Sequence, residues 1–204
     1  MRIAGCQPLS LCDYPGRVAA VVFTQGCNLC CPFCHNGGLI PAEGRVLIRP
    51  EEVLDSLARR ARLLDGVVLS GGEPTLQPDL SGFIRQVRDL GLLVKLDTNG
   101  TRPDVLEALL TRGLLDFVAM DVKAPFEKYP VLTGAAPCIR EVQASIGLIA
   151  GSGLEHEFRT TFVRSLLTAE DLEEIRRSLP PGSRHRVQDF VAPLALDTRL
   201  RLAG

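Results

Sequence analysis

Gly66-Val67-Val68-Leu69-Ser70 opens the stretch that decides the fold; Gly71-Gly72-Glu73-Pro74-Thr75 follows, then Asp79 to Leu90, Gly91, and Leu92 to Asp97. The first run is continuously apolar rather than alternating, the pattern of a strand covered on both faces of a parallel sheet. The glycine pair and proline break it. Asp79 to Leu90 reads as a helix, and Gly91 stops it because glycine accepts the left-handed conformation that ends helices. Leu92 to Asp97 then returns as a second buried strand. Together they make one strand–helix–strand unit.

The same alternation extends outward. Upstream, Val18 to Phe23 is a buried strand, and Pro50 to Leu64 a helix with proline in its first turn and acids beside it. Downstream, Pro103 to Thr111 is a helix stopped at Gly113, and Leu115 to Met120 a strand. A helix from Ile139 to Ala150 comes next, then strands near Phe158 to Val163 and Arg186 to Phe190. Between those two, Thr168 caps a helix running to Leu179, and Asp171 completes a box-like pattern. Tyr14-Pro15-Gly16 reads as a turn ahead of the first strand. About six strands alternating with helices predict an α/β protein, a partial open (β/α)6 barrel with parallel strands, as one domain over residues 1–204. Six strands fall short of the eight of a closed barrel. A flat doubly wound sheet is the alternative. In both, ligands collect at the carboxyl ends of the strands.

The formal net charge of -1 gives no support to a nucleic-acid or membrane-surface partner held by charge. Hydrophobic residues make up 46% of the chain, yet no apolar run approaches spanning length, so no membrane segment is expected. The first residues lack a signal-peptide pattern, and a cytoplasmic location is expected. In that reducing setting seven cysteines are not expected to form a disulfide framework. Cys6, Cys12 and Cys138 are scattered and are expected to be buried free thiols.

The other four, Cys27, Cys30, Cys31 and Cys34, crowd the loop after the first strand, Thr24-Gln25-Gly26-Cys27-Asn28-Leu29-Cys30-Cys31-Pro32-Phe33-Cys34-His35-Asn36. Such density points to metal chemistry. Three thiolates on a short loop can hold three irons of one cubane cluster and leave the fourth open. Structural zinc normally takes two separated ligand pairs, and no second C-x2-C pair follows downstream. Spacing alone leaves two sets open: Cys27, Cys31 and Cys34, or Cys27, Cys30 and Cys34.

Cys27-x3-Cys31-x2-Cys34, with Phe33 before the third cysteine, resembles the radical S-adenosylmethionine superfamily, and that resemblance selects Cys31 over Cys30. Cys31-Pro32-Phe33-Cys34-His35-Asn36 resembles the activating enzymes of glycyl-radical proteins. Gln7 to Leu11 and Asp13-Tyr14-Pro15-Gly16 resemble those that activate anaerobic ribonucleoside-triphosphate reductase. Pyruvate formate-lyase activating enzymes are close relatives of that branch.

The resemblance implies a 4Fe–4S cluster on Cys27, Cys31 and Cys34, and S-adenosylmethionine as cofactor. It places Phe33, His35, Gly71, Gly72, Glu73, Asp97, Thr98, Asn99, Asp121, Lys123, Arg159 and Gln188 around that cofactor. Glu73 would meet its amino group and Lys123 its carboxylate, the latter as a point charge. The bland readings are a strand–helix turn for Gly71-Gly72-Glu73, a helix-entry turn for Asp97-Thr98-Asn99, and an exposed salt bridge between Lys123 and Asp121. Asp97 and Asp121 end neighbouring strands, which favours a bound cation or a lysine between them. The implied reaction is reductive cleavage of S-adenosylmethionine to a 5′-deoxyadenosyl radical, with flavodoxin or ferredoxin as donor and no protein general base. The radical takes hydrogen from a glycine of a partner protein. A small-molecule enzyme such as a deazapurine-forming synthase, and a ferredoxin-like electron carrier, are the competing readings.

Overall fold

The computed structural model describes residues 1–44, 47–134 and 138–202. Six parallel strands pair in chain order: β2 (Ala19–Thr24), β3 (Gly66–Gly71), β4 (Leu93–Thr98), β5 (Phe117–Asp121), β6 (Glu155–Phe162) and β7 (His185–Asp189). A seventh, β1 (Ile3–Ser10), runs antiparallel along β2. β1 and β7 are the two free edges, so the sheet does not close. A doubly wound sheet reverses its strand order partway. Here the order never reverses, which excludes the flat alternative and leaves the open barrel.

Helices α1 (Pro50–Arg60), α2 (Leu80–Asp89), α3 (Pro103–Thr111), α5 (Ile139–Gly151) and α6 (Ala169–Ser178) make the crossovers, with a short α4 (Tyr129–Thr133) ahead of α5. Local chemistry accounts for their ends. α1 begins at Pro50 with Glu51 and Glu52 in its first turn and Arg59 and Arg60 in its last, each sign facing the helix pole it favours. α6 carries a full capping box, Thr168 and Asp171 each accepting the other's backbone N–H. The helix expected to reach Leu64 loosens after Arg60 into a 3-10 turn over Ala61–Leu63. No helix among the described residues is long and apolar enough to cross a membrane.

Strand parity explains why the strands read as unbroken apolar runs. Ala20, Val22, Val67, Leu69, Val94, Leu96, Val118 and Met120 face the helices and build the larger core. Ala19, Val21, Val68, Phe117 and Ala119 face inward and surround Tyr14 at the foot of the barrel. The Tyr14 and Phe117 rings meet edge to face, 5.9 Å between centroids. The turn expected at Tyr14-Pro15-Gly16 is present, with Gly16 at φ 69°, and it also turns an aromatic plug into the barrel floor. Burying each such ring stabilises the fold by roughly 1.5–3 kcal/mol.

Candidate active site

The carboxyl ends of β2 to β7 open into one cavity of about 400 Å³, within the range of small-molecule sites. All fifteen residues singled out from the sequence line it: Cys27, Phe33, Cys31, Cys34 and His35 from the cysteine loop, and Gly71, Gly72, Glu73, Asp97, Thr98, Asn99, Asp121, Lys123, Arg159 and Gln188 from the later strand ends. Asp13, Phe23, Ser70 and Thr161 line it too and were not singled out. Ser70 and Thr161 carry a sequence signal, since each shares inward parity with a chosen residue two positions away. Asp13 carries none, because its place depends on how β1 wraps the barrel.

Cys27, Cys31 and Cys34 are unpaired thiols on the cavity wall. Cys30 is not on that wall: it is exposed, and its N–H donates to the Thr133 carbonyl at 2.7 Å. The loop begins with Gly26 and Cys27 donating to Leu39 and Ile40 carbonyls at 2.8 and 3.0 Å. Asn99 ties it to β4, donating to Asn28 Oδ1 at 3.0 Å while Asn28 donates to Thr101 Oγ1 at 2.8 Å. Burial pushes the Cys31 thiol up to about 12 and raises Cys27 as well. Of the scattered cysteines, Cys6 and Cys138 are half-buried and Cys12 is exposed, so none is the fully buried thiol expected. Their isolation in sequence says nothing about depth.

Gly71 and Gly72 make room for backbone. A Cβ on Gly72 would stand 2.2 Å from the Gly26 carbonyl oxygen, and one on Gly71 would meet Thr24 N at 2.4 Å, at a φ of 109°. The Gly72 and Glu73 N–H groups donate to the Thr24 and Gly26 carbonyls at 2.9 and 2.8 Å. The glycine pair thereby seats the cysteine loop against β3 and delivers Glu73 to the cavity. Glu73 is 1% exposed. Its Oε1 accepts from the Thr75 N–H, the Thr75 hydroxyl and the Thr98 hydroxyl, and its Oε2 from the Asn99 N–H at 2.7 Å. Burial raises this carboxyl and those donors pull it back, with a net position above the ordinary value.

Asp97 and Asp121 do converge, and the side chain that stands between them is an arginine, not the expected lysine. Arg159 donates through Nε to Asp121 Oδ1 at 2.8 Å and sets Nη1 3.3 Å from Asp97 Oδ2. Asp121 and Arg159 are direct neighbours in the β5–β6 register, which puts both side chains on the inner face. Two lysines flank the arrangement: Lys95 pairs with Asp97, and Lys123 Nζ donates to Asp121 Oδ2 at 2.8 Å. That Lys123 pair is largely buried, not the exposed bridge of the bland reading. Burial works against the Asp121 charge, yet Arg159 and Lys123 outweigh it and hold the carboxyl well below the usual range. Burial likewise opposes the Lys123 charge, and Asp121 more than offsets it, so the ammonium persists.

These residues fit the cofactors implied by the sequence. Three thiols on one short loop beside a roomy cavity suit a multi-iron cluster better than a structural zinc, which takes two separated ligand pairs. Next to them stand a cation, Lys123, and an acceptor, Glu73, the complements of an amino acid's two ends.

Comparison with known families agrees. The model of the Radical SAM superfamily matches residues 21–179. The chain belongs to the radical SAM superfamily. As a member it is an enzyme that uses a 4Fe–4S cluster and S-adenosylmethionine. It is 35% identical to a Methanocaldococcus jannaschii protein provisionally named a glycyl-radical enzyme activating enzyme, over 98% of this chain and 84% of that one. It is 34% identical to the pyruvate formate-lyase-activating enzyme of Clostridium pasteurianum, over 65% of this chain and 57% of that one. A 7-carboxy-7-deazaguanine synthase of Methanopyrus kandleri is 35% identical over 55% of this chain and 52% of its own. Among solved structures, Streptococcus suis SuiB bound to precursor peptide SuiA superposes with a TM-score of 0.67 at 16% identity, over 90% of this chain and 44% of that longer one, a likeness of fold.

Proposed function

We propose that this radical SAM enzyme activates a glycyl-radical protein by taking a hydrogen atom from a backbone glycine, with an anaerobic ribonucleoside-triphosphate reductase as the partner. Flavodoxin or ferredoxin supplies the electron, the setting is the cytoplasm, and residues 1–204 work as one domain. The observation that carries the reading is the shape of the site: one cavity at the strand ends of a barrel left open between β1 and β7, which gives a peptide loop a way in. The likeness to the M. jannaschii protein along nearly the whole chain supports the class.

Cys27, Cys31 and Cys34 would hold the cluster. When bound, the cofactor pair supplies a one-electron cleavage of S-adenosylmethionine that yields an organic radical. The chain's own part is to bind, orient and exclude water. Lys123, fixed by Asp121, would present its ammonium to a carboxylate. Glu73, with Oε1 already taken by three donors, would offer the free side of Oε2 to an amino group. Arg159 neutralises Asp97 and Asp121 together, so neither is left bare in the cavity. Phe33, His35, Gly71, Gly72, Thr98, Asn99 and Gln188 would complete the wall around the cofactor. No side chain needs to act as a base, because the hydrogen leaves glycine as an atom.

The test is anaerobic incubation of reduced enzyme with anaerobic ribonucleotide reductase and, in parallel, pyruvate formate-lyase, read by electron paramagnetic resonance. A glycyl radical on the reductase is expected. A radical only on the lyase would move the partner and keep the class. A radical on neither, with cofactor cleavage driven by a metabolite, would move the chain among the small-molecule enzymes.

A further inference from the structure

Residues 190–201 make two backbone contacts that bracket Cys34. The Asp197 N–H donates to the Pro32 carbonyl at 2.8 Å, and the Val191 N–H donates to His35 Nε2 at 3.2 Å. The Phe190 ring stacks on the same imidazole, 5.6 Å between centroids and 24° between planes. Just beyond, Gly37 lies so close to Leu196 that an added Cβ would stand 2.7 Å from its Cδ1. The segment is itself anchored: Ala195 is fully buried, Leu200 joins the core, and Arg201 Nε donates to the Ala195 carbonyl at 2.8 Å. The other end of the cysteine loop is held differently. Cys27 donates to the Ile40 carbonyl, its neighbour Gly26 to Leu39, and Asn99 of β4's end lies beside its sulfur. None of the segment's hydrogen bonds among the described residues reaches Cys27.

We propose that residues 190–200 are a strap whose task is to fix Cys34, and that its grip on Pro32 and His35 sets how firmly the site retains a cluster. This rests on the reading of Cys34 as a ligand. A three-thiolate site keeps its metal only while every ligand waits in place, and partners outside the ligand set supply that order. The strap provides it for one ligand of the three. Phe190, Val191 and Leu196 are positioning residues: they act on the cluster only through the loop.

Two measurements test this. In metal-free protein, alkylation of each thiol by iodoacetamide is followed by mass spectrometry, with Cys27 as the control on the same loop. In Phe190→Ala, Cys34 is expected to react several-fold faster than in the unaltered protein, with Cys27 unchanged and Phe190→Tyr restoring the slow rate. Leu196→Ala, at a second half-buried contact of the strap, is expected to repeat the result. In reconstituted protein the same two alanine variants are expected to lose iron to a chelator several-fold faster. An equal rise at Cys27 and Cys34 would make the segment a general stabiliser, and no rise at either would remove the strap; both overturn the proposal. A Cys34→Ala protein that keeps a full cluster would instead overturn the ligand reading, which the alkylation rates do not depend on.

Discussion

The two ends of the barrel are built from the same strands with opposite chemistry. At the foot, Tyr14 and Phe117 meet among Ala19, Val21, Val68 and Ala119, and the Lys95 ammonium that lies 5.8 Å from the Phe117 ring centre pairs with Asp97. Further along the same sheet, at and just beyond the strand ends, the wall carries Glu73, Asp97, Asp121, Lys123 and Arg159. The foot is held by non-directional burial and the mouth by hydrogen bonds that must all be made. Charge is tolerated at the mouth because each group is answered: four donors on Glu73, and a guanidinium shared by two aspartates. On β5 the two characters are only two residues apart, at Ala119 and Asp121.

Breaking the foot gives the largest effect on folding. Phe117→Ala is expected to cost about 3–5 kcal/mol in denaturant unfolding, from lost transfer energy and the cavity left behind, while the reconstituted protein still loads iron. Its counterpart at the mouth, Cys31→Ala, is expected to unfold like the unaltered metal-free protein within about 1 kcal/mol and to hold no stable cluster. If Phe117→Ala lost its iron without losing stability, the division between the ends would fail.

A smaller effect sharpens the view of the mouth. Lys123→Ala removes a charge-assisted contact, worth about 1.5–3 kcal/mol, from a wall that Arg159 still neutralises. Affinity for S-adenosylmethionine, titrated on the cluster's spectrum, is expected to fall roughly ten- to hundredfold, with unfolding little changed. Unchanged affinity would take Lys123 out of the cofactor site.

The smallest effect lies on the rim, where Lys128 pairs with Asp171 at 2.7 Å in the cap of α6. Burial raises the Asp171 carboxyl, but the Lys128 ammonium and the Thr168 N–H overcome it and leave the value below normal. A carboxyl lowered in the folded state stabilises the protein above its unfolded pKa, about 4, and gives up that stability as pH falls through the folded value. Asp171→Asn is therefore expected to be less stable than the unaltered protein at neutral pH by no more than about 1 kcal/mol, because Lys128 is half in solvent. The gap should close as unfolding is repeated below about pH 4. A gap that persists in acid would assign it to the cap's geometry alone.

What could be read from the sequence follows the same division. The parallel strands were legible because burial on both faces leaves an unbroken apolar run, and the helix ends because Pro50, Pro103, Gly91, Gly113 and Thr168 act locally. β1 was not legible: Ile3–Ser10 contains Gly5 and Pro8, does not alternate cleanly, and owes its form to pairing with β2 across two register shifts. α4 escaped because five residues containing Pro130 give no period. In the site, the cysteine spacing and the strand-end motifs carried their positions with them. The Arg159 bridge did not, since it needs β4, β5 and β6 side by side before two aspartates and one arginine become neighbours. Tyr14 looked like part of a turn because nothing local shows a ring folded back into a barrel that forms later in the chain.

The unreversed strand order has a consequence for synthesis. Each parallel strand pairs with the one made just before it, so the sheet can grow as the chain leaves the ribosome. Asp97 and Asp121 emerge on β4 and β5, whereas the arginine that joins them waits on β6. Until β6 arrives, both carboxylates face a trough open to water, with only Lys95 and Lys123 as counter-charges. The docking of β6 is therefore a step drawn by charge as well as by apolar burial. The inner wall acquires its final electrostatic character from the last quarter of the chain to be made.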